Sequence, residues 1–155
     1  MVRKRKGRME RSKMKKIYTD SNFWIYCLEG TPEHRHIISM FLKSCLNKGV
    51  ALYTSLLTLA ECLVLPAKQD DQKLKFDYIE LFTGLKFLDL IPLETMTSMK
   101  TSTLKAKYQI PTPDCIHLAT ALVMECNYFI TNDKNLQKVK EIKTVTVEEL
   151  KSLEL

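Results

Sequence analysis

Short apolar segments alternate with longer helical patterns along almost the whole chain, and this alternation constrains the fold more than any other feature. The short segments are rich in aromatic and β-branched residues, which is typical of buried strands. They are residues 17–19, 50–53, 87–91, 128–131 and 144–146. Between them, apolar residues recur every three or four positions, as in helices that bury one face. The pattern predicts an α/β fold with a five-stranded parallel sheet covered by helices on both faces, a three-layer α/β/α sandwich.

Capping residues and prolines predict where two of the helices begin and end. One helix begins with a cap at Thr54 or Ser55, and Pro66 stops it. A second is capped by Thr112, with Pro113 in its first turn. Apolar residues cover most of the circumference of this second helix, so we expect it to be deeply packed.

The charge of the chain is uneven. The net charge is +6, but residues 1–16 hold nine Lys or Arg and one Glu, so the remainder has a net charge of −2. We therefore predict a basic, disordered tail over residues 1–13 and a single domain over residues 14–155. Two alternatives for the tail are a non-specific contact with phosphate groups and a biological start at Met14.

The cysteines and the hydropathy pattern bear on the compartment. The five cysteines are odd in number, scattered, and form no Cys-x-x-Cys pair, so we expect reduced core residues and neither a zinc site nor a disulfide framework. No uncharged apolar run reaches the ~18 residues that a membrane span needs, and no signal peptide is recognisable. We expect a cytoplasmic protein with no membrane association.

Four acidic residues occupy positions that a parallel sheet would bring together. Asp20 ends the first strand and Asp133 follows the fourth, while Asp114 lies in the first turn of the helix that leads into the fourth strand. Glu61 lies within the apolar helix after the second strand. No Lys or Arg occurs between Lys48 and Lys68 to pair with it. Ligands of such sheets bind beyond the carboxyl ends of the strands, so we expect the four to face one site.

Four converging carboxylates repel each other unless a cation joins them. Oxygen ligands favour Mg²⁺ or Mn²⁺, and the chemistry that uses such a cluster is phosphoryl transfer. The number of metal ions stays open. Taken singly, each acid has an ordinary explanation as a helix cap, a turn residue or a surface residue.

Four segments resemble the PIN domain family in order and spacing, and the similarity runs from about residue 14 to residue 150. The most specific is P-D-C-I-H-L-A-T-A at 113–121, followed by F-I-T-N-D-K-N-L at 129–136. The others are I-Y-T-D-S-N-F-W-I at 17–25 and the helix at 55–61. Within this family the chain most resembles the VapC-type toxins of toxin–antitoxin modules.

The resemblance implies a Mg²⁺-dependent (or Mn²⁺-dependent) endoribonuclease. By motif, Asp20, Glu61, Asp114 and Asp133 would be the metal-binding and catalytic acids, with the Thr131 hydroxyl beside them. It also implies an RNA substrate, an antitoxin protein as partner, and a homodimer.

Four further residues near these acids in the sequence bear on the site. Ser21 and Asn22 stand where the family has small polar residues after the first Asp, as groups that support the site or position substrate. His117 lies one turn after Asp114 and is interpreted as a packed or supporting histidine, not as a general base. Asn135 departs from the family, many members of which carry an acid there.

Two alternatives remain. One is a catalytically silent PIN-like module that binds RNA or a protein. The other is a phosphatase of the haloacid-dehalogenase type, which needs a second Asp two residues after the first, where this chain has Asn22.

Overall fold

A five-stranded sheet in which every strand pair is parallel forms the centre of the protein, in a computed structural model that describes residues 14–155. The strands are β1 (Lys16–Thr19), β2 (Ala51–Ser55), β3 (Leu88–Ile91), β4 (Tyr128–Ile130) and β5 (Lys143–Val145), in the order β3-β2-β1-β4-β5. The predicted parallel sheet is therefore confirmed, with β5 at one edge. The predicted tail over residues 1–13 lies outside the described residues.

Helices cover both faces of the sheet. They are α1 (Ser21–Glu29), α2 (Pro32–Lys48), α3 (Leu56–Cys62), α4 (Val64–Gln69), α5 (Gln72–Gly84), α6 (Thr95–Tyr108) and α7 (Thr112–Val123), with 3-10 helices at Lys134–Lys138 and Glu148–Ser152. None of the helices within residues 14–155 has the length and apolar character needed to span a membrane.

Alternating side chains of the strands divide the core into two halves. In β1, Ile17 packs with Trp24 and other residues of α1, α2 and α5, whereas Tyr18 packs on the opposite face with Leu118 of α7. Both strand residues are fully buried. This alternation follows from the period of two along a strand, and it produces the predicted three-layer sandwich.

Two predicted helix ends are wrong. The helix after β2 breaks at Leu63, and Pro66 lies inside α4 instead of stopping a helix. Pro66 is tolerated because it stands in the first turn of α4, where the backbone N–H has no partner within the helix. The helix predicted to be capped by Thr112 includes that residue, and Pro111 is its N-cap without a side-chain hydrogen bond.

Three of the five cysteines are core residues as predicted, and Cys27 and Cys126 are only partly buried. All five lie within the described residues as free thiols, and Cys45, Cys62 and Cys115 are buried.

Candidate active site

The carboxyl ends of the two adjacent strands β1 and β4 lie at the same level of the sheet. Thr19 is paired with Ile130, and the backbone N–H of Asp20 donates to the Ile130 carbonyl at 3.2 Å. Asp20 and Thr131 are therefore the first residues past neighbouring strand ends. The parallel topology brings the first and last acidic motifs of the sequence to one edge, although more than 100 residues separate them.

Asp20 is a buried carboxylate with a structural task as well. Its Oδ1 accepts from the Phe23 N–H at 3.2 Å and caps α1, and only 6% of the residue is exposed. Burial raises the pKa of Asp20 to about 6, although hydrogen bonds from Thr131 and Phe23 lower it. Repulsion from Asp114 adds to the increase in this pKa, so the ionised form is held at a cost.

Asp114 lies in the first turn of α7, as predicted. Its side chain is partly buried, and burial is the main cause that raises its pKa. Repulsion from Asp133 and Glu61 acts in the same direction, while His117 opposes it. Asp114 is thus within electrostatic range of the other acids, which is the arrangement that the sequence predicts.

Glu61 differs from the other acids because it has dedicated hydrogen-bond donors. Its Oε2 is 2.8 Å from Nε2 of His117 and also accepts from the Ser21 hydroxyl. Burial alone would raise the pKa of Glu61, but these hydrogen bonds outweigh burial and lower it. The partner that the sequence requires for Glu61 is therefore a histidine from α7, 56 positions away, and no local Lys or Arg is needed.

Asp133 stands at the margin of this group. Its Oδ1 accepts from the Asn135 N–H at 2.9 Å and caps the 3-10 helix that follows, while its own N–H donates to the Thr131 hydroxyl at 3.1 Å. Asp133 does not line the pocket that the other three acids share, but it is close enough to Asp114 to raise the pKa of that carboxyl.

A pocket of about 400 Å³ opens between α1, α3 and α7. Its lining combines acidic and polar residues with two apolar ones, and it contains no Lys or Arg. The lining residues are Asp20, Ser21, Asn22, Ile25, Glu61, Val64, Asp114 and His117. The aromatic residues Phe23 and Trp24, which follow Asn22 in the chain, are buried in the core and are not available to stack on a base.

The donor set fits a hard divalent cation. Three carboxylates line the pocket, and no Lys or Arg lines it to offset their charge. Glu61 uses Oε2 for its hydrogen bonds, so Oε1 is left for a ligand. In residues 14–155 no three His, Cys, Asp or Glu side chains are already gathered as an assembled metal centre. The acids stand around the pocket at a wider spacing.

One member of the site was not predicted from the sequence. The Tyr18 hydroxyl is 2.7 Å from Nδ1 of His117 and links strand β1 to the pocket. In the sequence Tyr18 looks like any buried strand residue, and no local signal indicates that its hydroxyl reaches a histidine 99 positions away.

Known structures share this fold at low sequence identity. A chain of VapBC2 from Rickettsia felis, in complex with a DNA fragment from their promoter, superposes with a TM-score of 0.71 at 14% identity, covering 84% of this chain and 98% of that one. FitAcB from Neisseria gonorrhoeae gives 0.66 at 19% identity, covering 85% and 98%. VapC20 from Mycobacterium tuberculosis, described as a Sarcin-Ricin loop cleaving toxin, gives 0.63 at 11% identity, covering 82% and 98%.

Sequence comparison identifies the family directly. A comparison with curated proteins found no match. The sequence model of the PIN domain, however, matches residues 17–142, a range that contains all four acids and the Tyr18–His117 contact. The resemblance predicted from the motifs is therefore confirmed, and the chain belongs to the PIN domain family.

Proposed function

We propose that this protein is a Mg²⁺-dependent endoribonuclease and the toxin of a type II toxin–antitoxin module. The observation that carries the proposal is the gathering of acids at the carboxyl edge of the sheet. Asp20, Glu61 and Asp114 line one pocket without a neutralising Lys or Arg, and Asp133 acts on Asp114 from its margin. The fold neighbours support the toxin assignment, since they come from toxin–antitoxin complexes.

In this proposal the protein's own groups prepare the pocket for a phosphodiester. Asp20 and Asp114 would hold the principal cation, and Glu61 and Asp133 would complete the acidic group directly or through water. When bound, Mg²⁺ or Mn²⁺ neutralises the phosphate and makes a water molecule more acidic. Ser21 keeps Glu61 in place by a hydrogen bond, and Thr131 does the same for Asp20. Hydrolysis would leave a 5′-phosphate and a 3′-hydroxyl.

The partners follow from the same assignment. The substrate would be single-stranded regions of RNA, and the activity would be restrained by an antitoxin protein encoded beside it. We also propose a homodimer, as the family implies. Free cysteines throughout the described residues agree with a cytoplasmic location.

A cleavage assay with a matched pair of variants tests the proposal. The full-length protein is incubated with a fluorogenic single-stranded RNA and Mg²⁺, with and without EDTA. Asp114→Asn should abolish cleavage while the circular dichroism spectrum is retained. The control is Asp89→Asn, which changes an exposed aspartate in β3 outside the pocket lining, and it should cleave like the wild type.

Three results would contradict the proposal. Cleavage that persists in EDTA would exclude a metal-dependent reaction. Full activity of Asp114→Asn would exclude this pocket as the active site. Wild-type protein that retains RNA without cleaving it would instead indicate the silent binding module.

A further inference from the structure

A hydrogen-bonded chain runs from strand β1 into the pocket. The Tyr18 hydroxyl is 2.7 Å from Nδ1 of His117, and Nε2 of the same ring is 2.8 Å from Oε2 of Glu61. Tyr18 is fully buried and His117 is 3% exposed. At its other end the chain begins at the backbone N–H of Ser55, which donates to the Tyr18 hydroxyl oxygen at 3.0 Å.

The donors and acceptors give this chain a direction. Burial raises the pKa of Tyr18, so the phenol keeps its proton. Its oxygen accepts from the Ser55 N–H, and Nδ1 of His117 is an acceptor within hydrogen-bond distance of the hydroxyl, 2.7 Å away. The hydroxyls of Thr54 and Thr58 also lie near this oxygen and lower the pKa of Tyr18. The imidazole proton then lies on Nε2 and is donated to Glu61. With Nδ1 protonated, the buried phenolic proton would lose this nitrogen as its acceptor, and the two protons would face each other across 2.7 Å.

Packing in the core fixes the positions of the Tyr18 and His117 rings. Tyr18 stacks on Phe129 of the neighbouring strand, with ring centroids 5.2 Å apart and planes inclined by 6°. His117 is buried within α7, and Leu118 beside it is fully buried. The position of Nε2 relative to Glu61 is therefore set by strand β1 and helix α7.

Both donors to Glu61 use the same oxygen. His117 and Ser21 bind Oε2, whereas Oε1 receives no hydrogen bond from residues 14–155. We propose that Tyr18 and His117 are positioning residues of this active site. Tyr18 fixes the Nε2–H tautomer of His117, and His117 holds Glu61 through Oε2 so that Oε1 is presented to a divalent cation. This inference rests on the proposed function in that Glu61 is taken as a metal-binding acid.

The tautomer is measured first, on metal-free protein and without RNA. The chain has three histidines, so long-range ¹H–¹⁵N spectra of labelled full-length protein are simple, and the ring lost in His117→Gln identifies His117. We expect Nδ1 to be unprotonated and Nε2 to be protonated. Tyr18→Phe should raise the population with a proton on Nδ1, because only the Glu61 carboxylate then favours the Nε2–H tautomer. The control Tyr53→Phe, on the next strand, should leave the populations as in the wild type. A protonated Nδ1 in the wild type would overturn the proposal.

Cation affinity tests what the tautomer is for. Mn²⁺ alone is titrated and followed by electron paramagnetic resonance. His117→Leu, which removes the donor to Glu61, should weaken Mn²⁺ binding roughly 10- to 100-fold. His117→Gln keeps an N–H donor and should stay within roughly tenfold of the wild type. The control is His34→Leu, since His34 pairs with Glu148 at 3.1 Å outside the pocket, and it should bind like the wild type.

A purely structural role for His117 would give a different result. The Tm in EDTA would then be lower in both His117 variants than in the wild type, while the two variants bound Mn²⁺ with the same affinity. That result would overturn the proposal. If the wild type binds Mn²⁺ and cleaves RNA but His117→Leu binds Mn²⁺ equally well, only the positioning role fails. Wild-type protein that neither binds Mn²⁺ nor cleaves RNA overturns the proposed function, and the presentation of Oε1 with it.

Discussion

Replacing Asp20 by Asn should make the metal-free protein more stable while removing its activity. Asn caps helices about as well as Asp, so the hydrogen bond from the Phe23 N–H to this side chain is retained. What disappears is a buried negative charge that is repelled by Asp114. The substitution therefore separates the contribution of Asp20 to the fold from its contribution to the site.

The pKa of Asp20 sets the size of the effect. Burial raises this pKa from 3.8 to about 6. A pKa difference of about two corresponds to a free-energy difference of ~3 kcal/mol. Since the folded state binds the proton more tightly than the unfolded state, stability falls as the pH rises from about 4 to about 6. Above that range the full cost is present. The Asn amide also needs a partner, so we expect Asp20→Asn to gain ~1–3 kcal/mol at about pH 7.5.

Thermal unfolding in EDTA measures this gain. For a chain of this length it corresponds to an increase in Tm of roughly 3–9 °C at about pH 7.5, and the gain should vanish at about pH 4. Because Asp114 and Glu61 are present in both proteins, the difference in Tm at each pH reports the contribution of Asp20 alone. The control is Asp71→Asn, because Asp71 caps α5 by the same kind of hydrogen bond, to the Leu74 N–H at 2.9 Å, and lies outside the pocket lining.

Added Mg²⁺ should make the wild type more stable than Asp20→Asn. A cation that binds the folded state stabilises the wild type by mass action, and Asp20→Asn should gain much less from it. The reasoning would be refuted if, at about pH 7.5 in EDTA, Asp20→Asn were no more stable than the wild type while the control was unchanged. In that case the Asp20 carboxylate would carry no cost from burial.

Three further substitutions test other contacts of the site and its support. Thr131→Val removes a hydrogen bond that lowers the pKa of Asp20, so the fall in metal-free stability with rising pH should extend to higher pH, as followed by Tm in EDTA. Gly30→Ala should lower the free energy of unfolding in urea by ~1–3 kcal/mol, because a Cβ there would overlap the Tyr26 carbonyl. The control Gly84→Ala should not lower it, because a Cβ at that position meets open space. Trp24→Phe should cost ~1–3 kcal/mol in the same assay, since it loses the hydrogen bond to the Thr19 hydroxyl, 3.0 Å long, and retention of full stability would exclude that contribution.

The strand ends could be predicted because they depend on chain order alone. Once alternation implies a parallel sheet, the residue after each strand lies at one edge, which places Asp20 and Thr131 together without knowledge of packing. The same argument places the first turn of α7, and hence Asp114, at that edge. Asp133 follows its strand by three positions, and that short loop moves its side chain out of the pocket lining.

Tertiary contacts account for what could not be predicted. The sequence shows that Glu61 needs a partner, but the partner depends on how α3 and α7 pack against each other, which is not a local property. Tyr18 is a further case, because a buried aromatic residue in a strand has the same pattern whether or not its hydroxyl has a role. Pro66 does not stop a helix as predicted, because the break at Leu63 places it in a first turn, where proline costs little.

The acids of this pocket are not equivalent, and the difference has a physical cause. Burial and mutual repulsion raise the pKa values of Asp20 and Asp114, whereas donors from His117 and Ser21 lower that of Glu61. In the free protein Glu61 is thus satisfied by the fold, and the cost of ionisation falls on the two aspartates. A cation that binds there relieves the aspartates most, because they have no cationic side chain beside them in the lining. Stability should therefore be coupled to Mg²⁺ mainly through the aspartates, while Glu61 contributes geometry that the Tyr18–His117 pair has already set.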